Sequence, residues 1–438
     1  MLNMVKMSRK GAGTFLRRMA NSLFTGMFFA KFRRHLFQLP PLRRFLAWWA
    51  RTRWHVNGGK VAFATFSGAV GCNPKYIARA LAKRCPDVDI VWLMDPAEYR
   101  RCGGTVETGR AVRMWTLRAY REAATACAWI DNAQTFLLDG MPPKREGQLY
   151  LNTWHGSLGI KRLDTASDEV RARYRKMQAV DVVLTNSDFE EGVFRESCFP
   201  SNELLRFGHP RNDVFFSPCA EKVAMRARVK KALGISDGIH LALYAPTFRE
   251  DAFATAAGQL DFGRWANALA ARFGGEWTVA VRLHPHDAKA VADGLFSLPQ
   301  GLLDVSGYDD MQELLVAADV GITDYSSWIF DFLLGDGIGF VYAPDKAEYD
   351  RRRGFYYPLE ETPFPIAESE DALCANIRNF SAAKYAADKV AFLRVRGCTE
   401  DGCASRRTAD FLAERLSGRT SMAPTAEPAA ARETGGES

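Results

Sequence analysis

A histidine stands in the run Trp154-His155-Gly156-Ser157-Leu158-Gly159, directly after the strand-like stretch Leu149 to Thr153. A histidine at the C-terminal end of a parallel strand, followed by glycines, occupies the place where open α/β sheets hold ligands. It can serve there as a base for a hydroxyl or as a structural histidine at a turn. Gly208-His209-Pro210-Arg211-Asn212-Asp213 reads as a tight turn presenting Arg211 and Asp213 on a loop. The bland alternative is a surface ion pair of little weight.

The second half of the chain repeats the theme. His240 to Tyr244 ends at Ala245-Pro246-Thr247-Phe248-Arg249, and Trp277 to Leu283, which contains Arg282, ends at His284-Pro285-His286. Val320-Gly321-Ile322 ends at Thr323-Asp324-Tyr325-Ser326-Ser327, before a helix from Trp328 to Leu334. Strand ends rich in Arg, His, Thr and Ser would converge at one sheet edge and suit a phosphate or pyrophosphate. Ser326 and Ser327 are expected to cap the helix that follows, whose free N–H groups favour an anion. Asp331 falls four residues after Ser327, on the same helix face. It can accept hydrogen bonds from sugar hydroxyls or merely serve the helix dipole. His284-x-His286 invites a metal reading, but Pro285 ends the strand and no carboxylate or cysteine cluster completes a site. Arg282 and His284 therefore read as phosphate contacts, and neither a metal nor another cofactor is expected.

The elements that must carry these residues alternate. Lys60 to Phe66 is a short buried strand, a helix opens at Pro74, and Asp89 to Met94 is the next strand. Ala124 to Ile130 reads as a helix feeding a strand end, and Val180 to Ser187 as a strand closing in small polar residues. Residues 217–238 are charged and helical and suit a linker between two halves. Alternating strand and helix implies parallel sheets. No G-x-G-x-x-G occurs, which leaves a dinucleotide fold unsupported.

The chain has 438 residues, 47% hydrophobic and 25% charged, the composition of a folded globular protein of two to four domains. Nine cysteines without a Cys-x-x-Cys read as scattered reduced thiols. Net charge is +7, unevenly spread. Residues 1–86 hold 17 Lys and Arg and no acid, while the remainder carries 41 basic and 51 acidic side chains. Within residues 1–55, Phe15, Met19, Leu23, Met27 and Ala30 fall near one helical stripe, and Phe45, Trp48 and Trp49 sit among Arg43, Arg44, Arg51 and Arg53. No apolar run approaches the roughly 20 residues of a spanning helix, and no clear cleavage site follows. A basic amphipathic segment on an anionic membrane surface is the leading reading; packing on the body or between copies, and nucleic-acid binding, are the rivals. Nucleic acid ranks last, because the site motifs lie outside this segment. From Ser417 the composition turns to Ala, Pro, Thr, Gly and Glu and should be disordered.

Taken in order, WHGSLGIKR, GHPRND, YAPTFRED, VRLHPH, DVSGYDDMQELLVAADVGITDYSSWIFDF and YDRRRGFYY resemble the CDP-glycerol glycerophosphotransferase family of teichoic-acid primases and polymerases. TFSGAVGCNPKYIARAL is similar to that family's first strand–helix unit, and the likeness spans about residues 58 to 385. The resemblance implies a GT-B fold, two Rossmann-like domains facing across a cleft. Its parts would be residues 1–55 as the membrane-associating segment, 56–216 and 217–416 as the two domains, and 417–438 as a tail. It implies peripheral attachment to the cytoplasmic face of the cell membrane. It also implies transfer of a polyol phosphate from CDP-glycerol or CDP-ribitol to a lipid-linked or polymer acceptor, with release of CMP. His155 matches the family's base. Trp154, Gly156, Ser157, Arg211, Thr247, Arg249, Arg282, His284, Ser326, Ser327 and Asp331 match donor-binding positions. Two departures, Ser157-Leu158 where the family often has Thr-Pro and the proline-free run Leu334 to Ile338, bear on donor polyol and acceptor rather than on reaction class. A GT-B glycosyltransferase using a nucleotide sugar is the alternative, and a homo-oligomer is left open.

Overall fold

The computed structural model describes residues 34–138, 140–159, 161–163, 168–247, 260–283, 287–288, 291, 298–299 and 302–420. Two runs of alternating strand and helix build two sheets. The first holds β1 (Asn57–Phe63), β2 (Asp89–Met94), β3 (Arg110–Arg113), β4 (Ala126–Asp131), β5 (Leu149–Asn152), β6 (Val182–Leu184) and β7 (Glu203–Leu205), in the order β3-β2-β1-β4-β5-β6-β7. The second holds β8 (Ile239–Tyr244), β9 (Glu276–Val281), β10 (Leu303–Asp304), β11 (Val320–Thr323), β12 (Ile338–Tyr342) and β13 (Ile366–Ala367), in the order β10-β9-β8-β11-β12-β13. Neighbouring strands pair in parallel throughout, as in Val61 opposite Ile90 and Ala128, and Val320 opposite Ala242 and Ile338.

Parallel strands are covered on both faces, so their residues are apolar in unbroken runs rather than alternating. β4, with every residue buried, shows this best. In both sheets the order reverses beside the first strand, between β1 and β4 and between β8 and β11. Such a reversal opens a crevice at the C-terminal strand ends.

Two expectations are corrected, and one strand joins those expected. The helix Leu117–Thr125 stops where β4 begins, so Ala126 to Ile130 is strand and not helix. A short, wholly apolar run has no periodicity to tell the two apart, and pairing with β1 decides. The strand β3 has no legible strand signal, because only Ala111 and Val112 of its four residues are apolar; its Arg110 forms ion pairs with Asp89 and Glu122. The last helix, Ala404–Thr420, continues into the expected tail and packs on the first sheet rather than the second, burying Ala409 and Leu412 in its core. Asp213 starts that helix by accepting the N–H groups of Ala404 and Ser405. The helix Ala382–Val395 stays with the second sheet through Tyr385 and Phe392.

At the N-terminal side, the helix Pro40–Arg53 buries Leu46 and Ala50 against Tyr120 and Ala124. Its other face exposes Phe45 (54%) and Trp48 (60%), together with Arg43, Arg44, Arg51 and Arg53. The stripe of Phe15, Met19, Leu23, Met27 and Ala30 lies outside the described residues. Among the described residues no helix is long and apolar enough to cross a membrane. All nine cysteines are free thiols.

Candidate active site

Strand order decides which motifs meet. β1, β4 and β5 are neighbours, so Phe66, Asn132 and His155, which follow them, share one edge. β9, β8 and β11 are neighbours as well, which brings Arg282, Thr247 and the Asp324–Ser327 loop to one edge of the second sheet.

His155 leaves β5 on strained backbone. Trp154 (φ 52°) and Leu158 (φ 31°), which flank it, adopt left-handed conformations that side chains other than glycine resist. Its Nδ1 lies 2.6 Å from the carbonyl of Asn132. A carbonyl only accepts, so Nδ1 carries the proton and Nε2 is left with a free lone pair. Trp154 stacks at 5.1 Å between ring centroids, and Phe66 lies 5.2 Å away. The imidazole is open to solvent at one side, yet protein surrounds it deeply. Its pKa is held below the ordinary histidine value by desolvation first; the Asn132 carbonyl opposes this, and the charges of Arg211, Lys161 and His209 add to it.

The neighbouring glycines are explained by contact. The Gly156 carbonyl accepts from Arg211 at 2.9 Å. A Cβ on Gly159 would stand 3.3 Å from the Cβ of Ser327, so the histidine loop runs close against the serine loop of the second sheet. Ser157 is buried and accepts from Asn186 at 2.9 Å. Leu158 enters the core of the second sheet, and its carbonyl accepts from the Tyr357 hydroxyl. Arg162, Arg353 and Phe355 exchange backbone-directed hydrogen bonds beside it, which gives the YDRRRGFYY segment its structural use.

Arg211 is not on a surface loop. It is buried in a 3-10 turn, Pro210–Phe216, and pairs with Asp331 at 2.9 Å. Its guanidinium also donates to the Cys72 sulfur (3.3 Å) and the Gly156 carbonyl. Burial disfavours its charge, but Asp331 and Cys72 outweigh that and raise its pKa. Asp331 further accepts from Asn212 (3.2 Å) and Gln312 (3.1 Å).

Asn73 ties the same parts together. Its amide donates to the carbonyls of Thr153 and Trp154 and accepts from the Arg211 backbone N–H. No spacing rule singles it out, because it faces two distant segments. Behind it, His209 donates from Nε2 to Glu190 at 3.1 Å, and Glu400 accepts from Asn186, Asn212 and the His209 N–H. Burial pushes Glu400 up to about 7, against the pull of His209 and its hydrogen bonds.

On the second sheet, Thr247 donates through both its N–H and its hydroxyl to Asp324, at 2.8 Å each. Arg282 is partly buried and donates to the Tyr308 carbonyl at 2.7 Å. Ser326 and Ser327 do not cap the helix Trp328–Phe332: no side-chain cap forms, and neither hydroxyl has a hydrogen-bond partner among the described residues. Arg249 and His284, with His286, lie outside the described residues. Lys161, inside the histidine motif but without chemistry readable from spacing, is a cation whose pKa is lowered by desolvation and raised in part by Asp324. The arrangement thus offers a neutral imidazole with a free Nε2 next to cations and unused hydroxyls.

The family model described as CDP-Glycerol:Poly(glycerophosphate) glycerophosphotransferase matches residues 47–414. The chain is 27% identical over 376 residues to a teichoic acid poly(glycerol phosphate) polymerase of Staphylococcus epidermidis, covering 82% of this chain and 51% of the relative. It is 27% identical over 355 residues to the protein of the same description from Bacillus subtilis, covering 76% of this chain and 45% of the relative. The chain therefore spans about half the length of these two curated relatives. Its fold matches a solved structure of the wall teichoic acid polymerase TagF with a TM-score of 0.72 and 24% identity, over 94% of this chain and 100% of that one. A variant of that polymerase has been solved after soaking with CDPG. The chain belongs to the CDP-glycerol:poly(glycerophosphate) glycerophosphotransferase family.

Proposed function

We propose that the protein moves a polyol phosphate, glycerol phosphate first, from a CDP-polyol to a hydroxyl of a membrane-linked acceptor, releasing CMP, in assembly of a teichoic-acid or capsule-type polymer. The observation that carries this reading is the His155 contact: Nδ1 lies against the Asn132 carbonyl, which makes it the donor, and Nε2 has no hydrogen-bond partner among the described residues. Family membership and the CDPG-soaked relative support the donor class.

In the proposed step, Nε2 of His155 takes the proton of the acceptor hydroxyl. The acceptor oxygen forms a bond to the β-phosphorus of the donor, and the bond from that phosphorus to the CMP oxygen breaks in line. Such transfers depend mostly on positioning and charge neutralisation. Arg282, His284, Lys161, Arg249, Thr247 and the hydroxyls of Ser326 and Ser327 are assigned to the donor phosphates. Trp154, Gly156 and Ser157 shape the loop around the base. Arg211 and Asp331 are assigned to holding that loop against the second sheet, since the guanidinium already donates within the protein.

The two sheets are read as the halves of a GT-B arrangement, residues 56–216 and 217–416, with the donor between them and the last helix returned to the first half. The basic N-terminal segment is read as a peripheral anchor on the cytoplasmic face of the membrane. Incubation with CDP-glycerol, CDP-ribitol and UDP-sugars in the presence of lipid-linked acceptors tests the reading. CMP release with a mass increment of one polyol phosphate, or a ladder of them, is the expected result. UDP release from a nucleotide sugar without CMP release overturns it.

A further inference from the structure

Phe66 stands at the reversal between β1 and β4, where the sheet opens its crevice. Its ring lies 5.2 Å from the His155 imidazole, and 60% of its surface is exposed. A large aromatic left open beside a buried polar network needs a reason, because burial of such a ring is normally favourable.

The turn that holds it is built rather than loose. The Thr65 hydroxyl donates to the Ala69 carbonyl, and the Asp95 N–H donates to the Gly68 carbonyl at 2.9 Å. Gly68 has φ 73°, and a Cβ there would come within 2.5 Å of the Asp95 side chain. Asn132 then sets Phe66 against the base. Its Oδ1 accepts the Phe66 N–H at 2.9 Å while its carbonyl holds His155 Nδ1. Its remaining donor, Nδ2, is buried and has no partner among the described residues. A buried donor of this kind is satisfied when an oxygen-bearing ligand or water enters.

The geometry points to an acceptor subsite with Phe66 as its wall, recognising the carbon skeleton of a sugar or polyol end rather than a phosphate. The inference rests on the phosphotransfer reading and names what that reading leaves open. A hydroxyl about 3 Å from Nε2 puts its own carbon within contact of a ring held this close to the imidazole. An apolar ring face suits C–H groups and offers an anion nothing. Of the groups assigned to the donor, Arg282, Thr247 and the serine loop come from the second sheet and Lys161 from the loop after β5, whereas Phe66 stands in the separate turn after β1.

Steady-state kinetics of the full-length protein test it. A short glycerol phosphate oligomer with a free terminal hydroxyl is varied at saturating CDP-glycerol, and then the reverse. Phe66→Ala is expected to raise the acceptor KM about tenfold, the loss of one ring contact, with the CDP-glycerol KM changed less than about twofold. Phe66→Tyr and Phe66→Trp should restore the acceptor KM, and the pH dependence of kcat should not move. An unchanged acceptor KM in Phe66→Ala, or a parallel rise in the donor KM, overturns the subsite while leaving phosphotransfer standing. Absence of CMP release by the unsubstituted protein overturns the phosphotransfer reading, and the subsite with it.

Discussion

Arg211 and Asp331 lie 120 positions apart in the chain and form a buried ion pair, Nε to Oδ2 at 2.9 Å. Arg211 sits in the turn that follows the first sheet, and Asp331 in the helix that follows β11 of the second. The same guanidinium holds the Gly156 carbonyl, beside the base. Register between the two sheets and placement of His155 are therefore one structural event.

Removing one partner of such a pair strands a buried charge. Arg211→Ala is expected to cost about 3–5 kcal/mol in denaturant unfolding of the full-length protein. Arg211→Lys should recover little, because an ammonium cannot reach Asp331, Cys72 and Gly156 at once. A cost below about 1 kcal/mol for Arg211→Ala would show that the pair does not hold the halves together.

His155→Ala should lower turnover by roughly 100- to 10,000-fold, the contribution of a general base. Calorimetric titration of the variant with CDP-glycerol should still show binding, since the donor contacts are assigned to groups other than His155, all but Lys161 of them on the second sheet. Near-normal turnover in the variant would remove His155 from the chemistry.

The His155 pKa is depressed below 6.5 by desolvation, so the neutral form persists to lower pH than for a free imidazole. The acid limb of the kcat/KM profile, which reports the free enzyme, should accordingly fall below pH 6.5, with activity rising through it as the proton leaves. In stability terms, this group's contribution is present above its unfolded pKa and is lost as pH falls. The contact of Asn132 with the ring is made by its main-chain carbonyl, which Asn132→Ala keeps, so that variant should leave the limb in place. A limb clearly above pH 6.5 contradicts the environment described for the ring.

Glu400 shifts in the other direction, from 4.5 to about 7, so its proton is bound more tightly in the folded protein. Its contribution is present below pH 4.5 and is lost as pH rises through about 7. Glu400→Gln keeps an oxygen for Asn186, Asn212 and the His209 N–H but cannot ionise. Thermal melts from pH 5 to pH 8.5 should decline more steeply for the unsubstituted protein than for Glu400→Gln. Parallel slopes would mean that Glu400 is not titrating in this range.

The exposed face of helix Pro40–Arg53 separates anchoring from packing. Phe45→Ser with Trp48→Ser should reduce co-sedimentation with anionic vesicles and spare activity on a soluble acceptor, because Leu46 and Ala50 still dock on Tyr120 and Ala124. High salt should weaken vesicle binding by the unsubstituted protein. Equal sedimentation of the two proteins would assign the face to contacts between protein molecules instead.

Much of this was determined by the sequence alone. Strands such as Asp89–Met94 are legible because a strand covered on both faces is an unbroken apolar run, and that signal is local. Glycines, prolines and polar residues at strand ends mark the C-terminal edges of both sheets, where His155 stands on the first and Arg282, Thr247 and Ser326 on the second. Tertiary structure decided what depends on partners distant in the chain. Whether Ala126–Asp131 is strand or helix is settled by β1 and β5 on either side, not by its composition. The turn bearing Arg211 has the same residues whether it is exposed or buried; only the approach of Asp331 makes it interior. Phe66 and Asn73 fall within the TFSGAVGCNPKYIARAL stretch but have no role readable from it, Asn132 lies in none of the quoted motifs, and the significance of all three comes from the topological reversal that sets β1 beside β4 and the base beside both. Chemistry follows residue type and is readable locally, whereas the pairing of groups across a crevice follows strand order, which no local pattern encodes.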